Sequence, residues 1–232
     1  MVQVNNTPII LRVKFKKVGR LQYISHLDLV RTMHKIIVRA GLPLWYTEGF
    51  NPKPKMVFAA PLSTGTESTV EFVDIRLTER MPTEDALARL SVNMTEEMQP
   101  LAAYYPTSKL TDLKWFSYDF LFHTKNATAH LAARCEEFLL SDTVLIQRRS
   151  KSGDTVTVDI RPMIKSVSTV LDGEDIKMNA VLSGDASAYL SPEHVVRALS
   201  RELGILSDPD LTSEYYSIMR NSAHLADMSE FL

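Results

Sequence analysis

Cysteine is nearly absent from this 232-residue sequence; Cys135 is the only one. A lone cysteine excludes an internal disulfide and any zinc or iron–sulfur site built from several cysteines. Its setting, AHLAARCEEFLL, has helical apolar spacing, so packing is its expected role. No apolar run is long enough to cross a membrane, and MVQVNNTP at the start lacks a signal-peptide core. A soluble, reducing, cytoplasmic setting is expected. Also missing are a phosphate-binding Walker loop, GxGxxG, HExxH, CxxxCxxC and GxSxG. The histidines are scattered and no carboxylate pair stands out, so neither a metal nor a cofactor is expected.

What is present is ordinary in bulk and uneven in distribution. The apolar fraction is 45% and the charged fraction 23%, values of a folded globular chain. The net charge of −2 hides an asymmetry. Residues 1–60 hold ten Lys/Arg against two acids, a balance of +8. The remainder holds 16 against 26, a balance of −10. A basic end on an acidic body points to a polyanionic partner, unless the charges only solvate a surface.

The hydrophobic periodicity reads as β-α-β-β-α-β across residues 9–106, the ferredoxin-like pattern. Ile9–Lys17 alternates, with Leu11, Val13 and Phe15 on one face and Arg12, Lys14 and Lys16 on the other. A helix follows to Ala40, with Leu27, Val30, Met33, Ile37 and Ala40 inward. Met56–Leu62, Thr69–Leu77 and Met98–Tyr105 read as strands, and a helix starts at Pro82. Residues 107–114 read as a linker. From 115 to 220 the pattern repeats less cleanly: strand 115–123, helix 127–140, two hairpins, helix 191–203, and a short strand 215–220. Residues 1–8 are expected as a flexible start and 221–232 as a tail. The fold class expected is therefore α+β, with two ferredoxin-like (βαββαβ) halves in tandem as a duplication.

The stretch with most chemical character is Ser25–Lys55. Ser25 suits an N-cap and Asp28 a capping box. Asp28, Arg31, Thr32, Lys35 and Arg39 share one helical sector, and Gly41 then Pro43 end the helix. Ser25, His26 and Asp28 do not form a triad, because neighbours at a helix start point in different directions. His26 and His34 lie about 12 Å apart along the axis and cannot chelate one metal together. In the loop TEGFNPKPK, Gly49 permits positive φ, while Pro52 and Pro54 stiffen the backbone. Lys53 and Lys55 are thereby presented with little ordering cost. Phe50 either stacks on a base or pins the loop to the core, the second being favoured. Asn51 reads a polar edge or makes an Asx-turn. Arg148-Arg149-x-Lys151 forms a smaller basic cluster on a hairpin.

These residues carry a resemblance. S-H-L-D at Ser25–Asp28, G-F-N-P-K-P-K at Gly49–Lys55, the Ala-Pro-Leu and Gly65 that follow, and V-D-I-R-P at Val158–Pro162 resemble motifs of the bacterial radical-SAM-linked proteins. The resemblance spans about residues 10–220 and implies a radical SAM/cobalamin-type partner protein and work on tRNA or rRNA. With one cysteine, the cluster chemistry would belong to that partner. The first helix departs from the family's pattern at His34-Lys35 and Ile36-Ile37, where a basic pair is common. The expectation is an RNA-binding accessory protein without independent catalysis. Arg31, Lys35, Arg39, Lys53 and Lys55 would meet phosphates, and Phe50 and Asn51 a base. The alternatives are a protein–protein adaptor, or a metal-independent endoribonuclease using His26 or His34 with Tyr23 or Tyr46.

Overall fold

In the computed structural model, residues 7–149, 153–208 and 213–232 are described. The expected flexible start, residues 1–8, falls mostly outside them, as does Lys151. The described residues up to Leu110, with Leu232, form one compact unit, and those within Thr111–Phe231 form the other. Among the described residues the fold is mixed α+β, with four α-helices and antiparallel strand pairing within each unit.

The first unit runs β1 (Ile9–Lys17), α1 (His26–Arg39), β2 (Met56–Phe58), β3 (Thr66–Leu77), α2 (Thr83–Asn93) and β4 (Pro100–Tyr104). Its strands lie in the order β4-β1-β3-β2. Leu11, Val13 and Phe15 are buried as their alternation requires, and pack with Leu29, Met33, Ile36 and Ile37 of α1. The inward stripe of α1 differs from expectation at one end. Leu27 is exposed, whereas Leu29 and Ile36 are buried. At about 100° per residue, Leu27 lies roughly 160° round the helix from Leu29, so it turns away from the buried stripe. β2 is shorter than expected: one further rung, Ala59 N–H to Phe72 O, precedes Pro61, which has no N–H to offer.

The basic face expected on β1 is not all surface. Arg12 faces Asp74 directly across the β1–β3 pair and is fully buried. Its Nε donates to Asp74 Oδ1 at 2.7 Å and its Nη1 to Ser108 Oγ at 2.9 Å. Lys17 shares the parity of the buried apolar residues and is 1% exposed. Its Nζ donates to the carbonyls of Leu21 and Gln22, both at 3.3 Å, in the short 3-10 turn that leads to α1. Two of the ten N-terminal cations are thus spent inside the unit.

The second unit runs β5 (Trp115–His123), α3 (Ala129–Leu139), β6 (Leu145–Arg149), β7 (Thr155–Asp159), β8 (Ile164–Asp172), β9 (Asp175–Ser183), α4 (Pro192–Leu203) and β10 (Tyr215–His224). Its strand order, β10-β5-β9-β8, has the same 4-1-3-2 sense as the first unit. The pair β6–β7 forms a separate hairpin inserted into that pattern. Phe116, Tyr118, Phe120 and Phe122 are buried in a row on β5, with successive rings 5.9–6.2 Å apart. Cys135 is buried on α3, and that burial pushes its thiol up to about 11. Residues 221–232 are not a tail. β10 continues to His224, Ala223 accepts from the Phe231 N–H, and Phe231 is fully buried. Of its apolar residues only Ala223 and Phe231 are buried, too far apart in sequence to show a period. Among the described residues, no helix is long and apolar enough to cross a membrane.

Candidate nucleic-acid interface

Local chemistry fixes the start of α1. Ser25 is extended, and its Oγ accepts from the Asp28 N–H at 3.2 Å while donating to Asp28 Oδ2 at 2.8 Å. Arg31 closes on Asp28 Oδ1 at 3.0 Å. The Ser25 hydroxyl first, and Arg31 second, hold the exposed Asp28 carboxyl below its ordinary range. Beyond that pair the outer face of α1 has no compensating charge. Lys35 and Arg39 are exposed and have no acidic partner among the described residues.

The loop after α1 is a stitched arm. Gly41 has φ of +63°, a left-handed conformation that ends the helix. Leu44 then bridges to Leu77, and Trp45 N–H donates to Arg76 O at 2.8 Å. The returning side runs alongside: Lys55 N–H donates to Trp45 O at 2.8 Å, Tyr46 bridges Pro54, and Thr47 N–H donates to Lys53 O at 2.9 Å. Lys53 N–H donates to Thr47 Oγ1 at 3.0 Å. The N–H groups of residues 53 and 55 therefore point at the partner segment, where hydrogen bonds are needed. Pro52 and Pro54 occupy the alternate positions, where a missing N–H costs no rung. Only residues 48–52 project beyond this ladder. Gly49 takes φ of +117° there, which a side chain would strain.

Helix and arm are joined by one side chain. His34 Nε2 lies 3.1 Å from the Pro54 carbonyl oxygen. A carbonyl only accepts, so Nε2 carries a proton and donates it to this bond. Against this strut lies an open groove of about 560 Å³, lined by Arg31, His34, Lys35, Val38, Arg39, Lys53 and Pro54. Four cations thus rim a floor that is largely aliphatic.

The structure brings Arg31, Lys35, Arg39 and Lys53 together around this groove. Lys55 is exposed but does not line it, and Asn51 is exposed on the arm's tip. Phe50 corrects the favoured expectation. It does not pin the loop to the core; its exposure is 112% of the reference value. The arm needs no such pin because its backbone ladder already holds it. His26 is exposed, with its ring 5.5 Å from Phe58 edge to face, and does not line the groove. Tyr23 and Tyr46 are exposed as well. Arg148 and Arg149 are exposed on β6. Two contributors were missed in the sequence. Val38 lines the groove and Thr47 closes the arm, and both depend on how the arm lies back along the helix; His34, named in the sequence only as a candidate base, serves instead to join segments 20 residues apart. Among the described residues, no group of three or more His, Cys, Asp or Glu is placed to hold a metal ion.

A family model described as "Uncharacterized protein conserved in bacteria (DUF2344)" matches residues 11–192. It carries none of the radical-SAM association that the motif resemblance implies. No curated protein sequence matches the chain. Among solved structures, the fold is similar to a chain of "Crystal Structure of a Cbf5-Nop10-Gar1 Complex", at 10% identity and a TM-score of 0.50. That match covers 92% of this chain and 48% of the other. It is also similar to a chain of "Structure of H/ACA RNP bound to a substrate RNA containing 2'-deoxyuridine", at 11% identity and a TM-score of 0.50. There it covers 96% of this chain and 49% of the other. The chain thus spans about half the length of the solved chains it matches.

Proposed function

Since the chain belongs to that family of bacterial proteins, we propose from its own surface that it is an RNA-binding accessory protein, acting through the groove between α1 and the 44–55 arm. One observation carries this reading. Lys35, Arg39 and Lys53 converge on one groove with no acidic partner among the described residues, and Arg31 stands beside them. Uncompensated like charges repel one another, so their concentration on a rigid surface favours a polyanion. The H/ACA structure described above holds a substrate RNA, and its likeness to this chain is one of fold.

Two finer readings go with the proposal. The shared 4-1-3-2 strand order supports two ferredoxin-like halves derived by duplication, with β6–β7 as an insertion in the second. A radical SAM/cobalamin-type partner rests on the motif resemblance alone, and co-purification with and without nuclease tests it.

The main test is fluorescence anisotropy with labelled tRNA and rRNA fragments over a salt series. Binding should weaken steeply as salt rises, with a slope set by the number of phosphates contacted. Substituting Lys35, Arg39 and Lys53 by Ala should flatten that slope. Unchanged affinity and slope in the triple variant would remove the groove from the proposal. Intact label after incubation would also dispose of the endoribonuclease alternative.

A further inference from the structure

We infer that the groove takes RNA in single-stranded form, with one unpaired base stacked on Phe50; this rests on the RNA reading above. The first observation is Phe50 itself. An aromatic ring is among the most favourable groups to bury, yet this one is wholly exposed. It stands at the tip of an arm whose two sides are locked by the Thr47–Lys53 and Trp45–Lys55 hydrogen bonds and by the Tyr46–Pro54 bridge. The ring is therefore presented by an ordered base, three residues before a cation that lines the groove.

The second observation is the groove's make-up. Val38 and Pro54 give it apolar wall, while Arg31, Lys35, Arg39 and Lys53 give it charge. A duplex would satisfy the cations through its phosphates, but its base faces are stacked on one another. It has nothing to offer an exposed ring or an aliphatic wall. A single strand presents both parts: phosphates for the cations, and a base face for an aromatic side chain. The volume of about 560 Å³ is that of a site for a small portion of a strand. Asn51, exposed beside Phe50, brings an amide with donors and an acceptor for a base edge.

The test uses the full chain, a labelled unstructured RNA oligonucleotide, and the same oligonucleotide annealed to its complement. The single strand should bind more tightly than the duplex. Phe50→Ala should weaken single-strand binding at least about fivefold, the lower end of what one base–aromatic stack contributes, and leave duplex binding unchanged. Phe50 makes no core contact, so this variant keeps its fold. Phe50→Trp should keep the affinity, and the indole emission should be quenched by the single strand and not by the duplex. Equal binding of both RNA forms, with Phe50→Ala changing neither or weakening both alike, would overturn the single-strand inference while leaving the RNA reading standing. Failure of the unaltered protein to bind either form would overturn both.

Discussion

Strand β1 and helix α1 are adjacent in the chain and both rich in cations, yet their charges have opposite fates. Arg12 on β1 is buried opposite Asp74, and Lys17 is turned inward onto two carbonyls. Lys35 and Arg39 on α1 stay in water beside Lys53, with no acid among the described residues to meet them. The difference follows from geometry. A strand inside a sheet has both faces and both edges near other atoms, so a long side chain there finds a partner or is not tolerated. A helix packed by one stripe leaves the opposite stripe to solvent. Counting charge over 60 residues merges these two populations, and only the second is available to a partner.

The largest effect that would sharpen this contrast is on the buried member. Arg12→Ala leaves the Asp74 carboxylate buried without its guanidinium and should cost about 3–5 kcal/mol of stability. Denaturant unfolding measures it; a loss below about 1 kcal/mol would show that Arg12 behaves like a surface cation. The exposed set should answer the other way. Lys35→Ala/Arg39→Ala/Lys53→Ala should change stability by no more than about 0.5 kcal/mol. Its log affinity against log salt for single-stranded RNA should flatten by about two, at roughly 0.7 per lost phosphate contact. A destabilised but still RNA-binding triple variant would break the comparison.

A smaller effect concerns the helix that carries the exposed set. Ser25→Ala removes the cap from α1 and should cost about 1 kcal/mol, read by thermal or denaturant unfolding. The Asp28 carboxyl should then titrate at a higher pH, since the Ser25 hydroxyl is the main cause of its depression. No movement of the Asp28 titration, followed by NMR, would assign the depression to Arg31 instead.

The smallest effect lies between the two extremes. Lys114 and Asp185 form a half-exposed pair at 2.5 Å in the second unit. The Lys114 ammonium first, with the Ser187 N–H and hydroxyl, holds the Asp185 carboxyl down to about 2. A carboxyl depressed on folding contributes stability above its unfolded value and loses it as pH falls through the folded one. The contribution should therefore be complete above about pH 4 and fade towards pH 2. Lys114→Ala should raise the Asp185 titration without fully restoring it, because the Ser187 bonds remain. An unmoved titration would show that water already screens the pair.

Much of the secondary structure was legible because it is written in local periods. The alternation of Leu11, Val13 and Phe15, the aromatic row of β5, the Ser25 cap and the Gly41 stop all depend on residues within a few positions. Ends were less legible. β2 stops at Phe58 and β10 runs to His224 because of what lies across the sheet, which no local window contains. The site was half legible. Spacing alone aligned Arg31, Lys35 and Arg39, but nothing in spacing joined them to Lys53.

What the sequence by itself determined is the amphipathic α1, its caps, and the stiff proline-lysine arm, since each follows from bond rotations and side-chain direction over a few residues. What only the tertiary structure decided is which cations are surface and which are interior, and that the arm folds back against the helix. Register across β1 and β3 sets Arg12 against Asp74, and the His34–Pro54 hydrogen bond closes the groove. Phe50 belongs to the same class. Its apolar ring suited the core, but the ladder beneath it held the arm without it and left the ring in water.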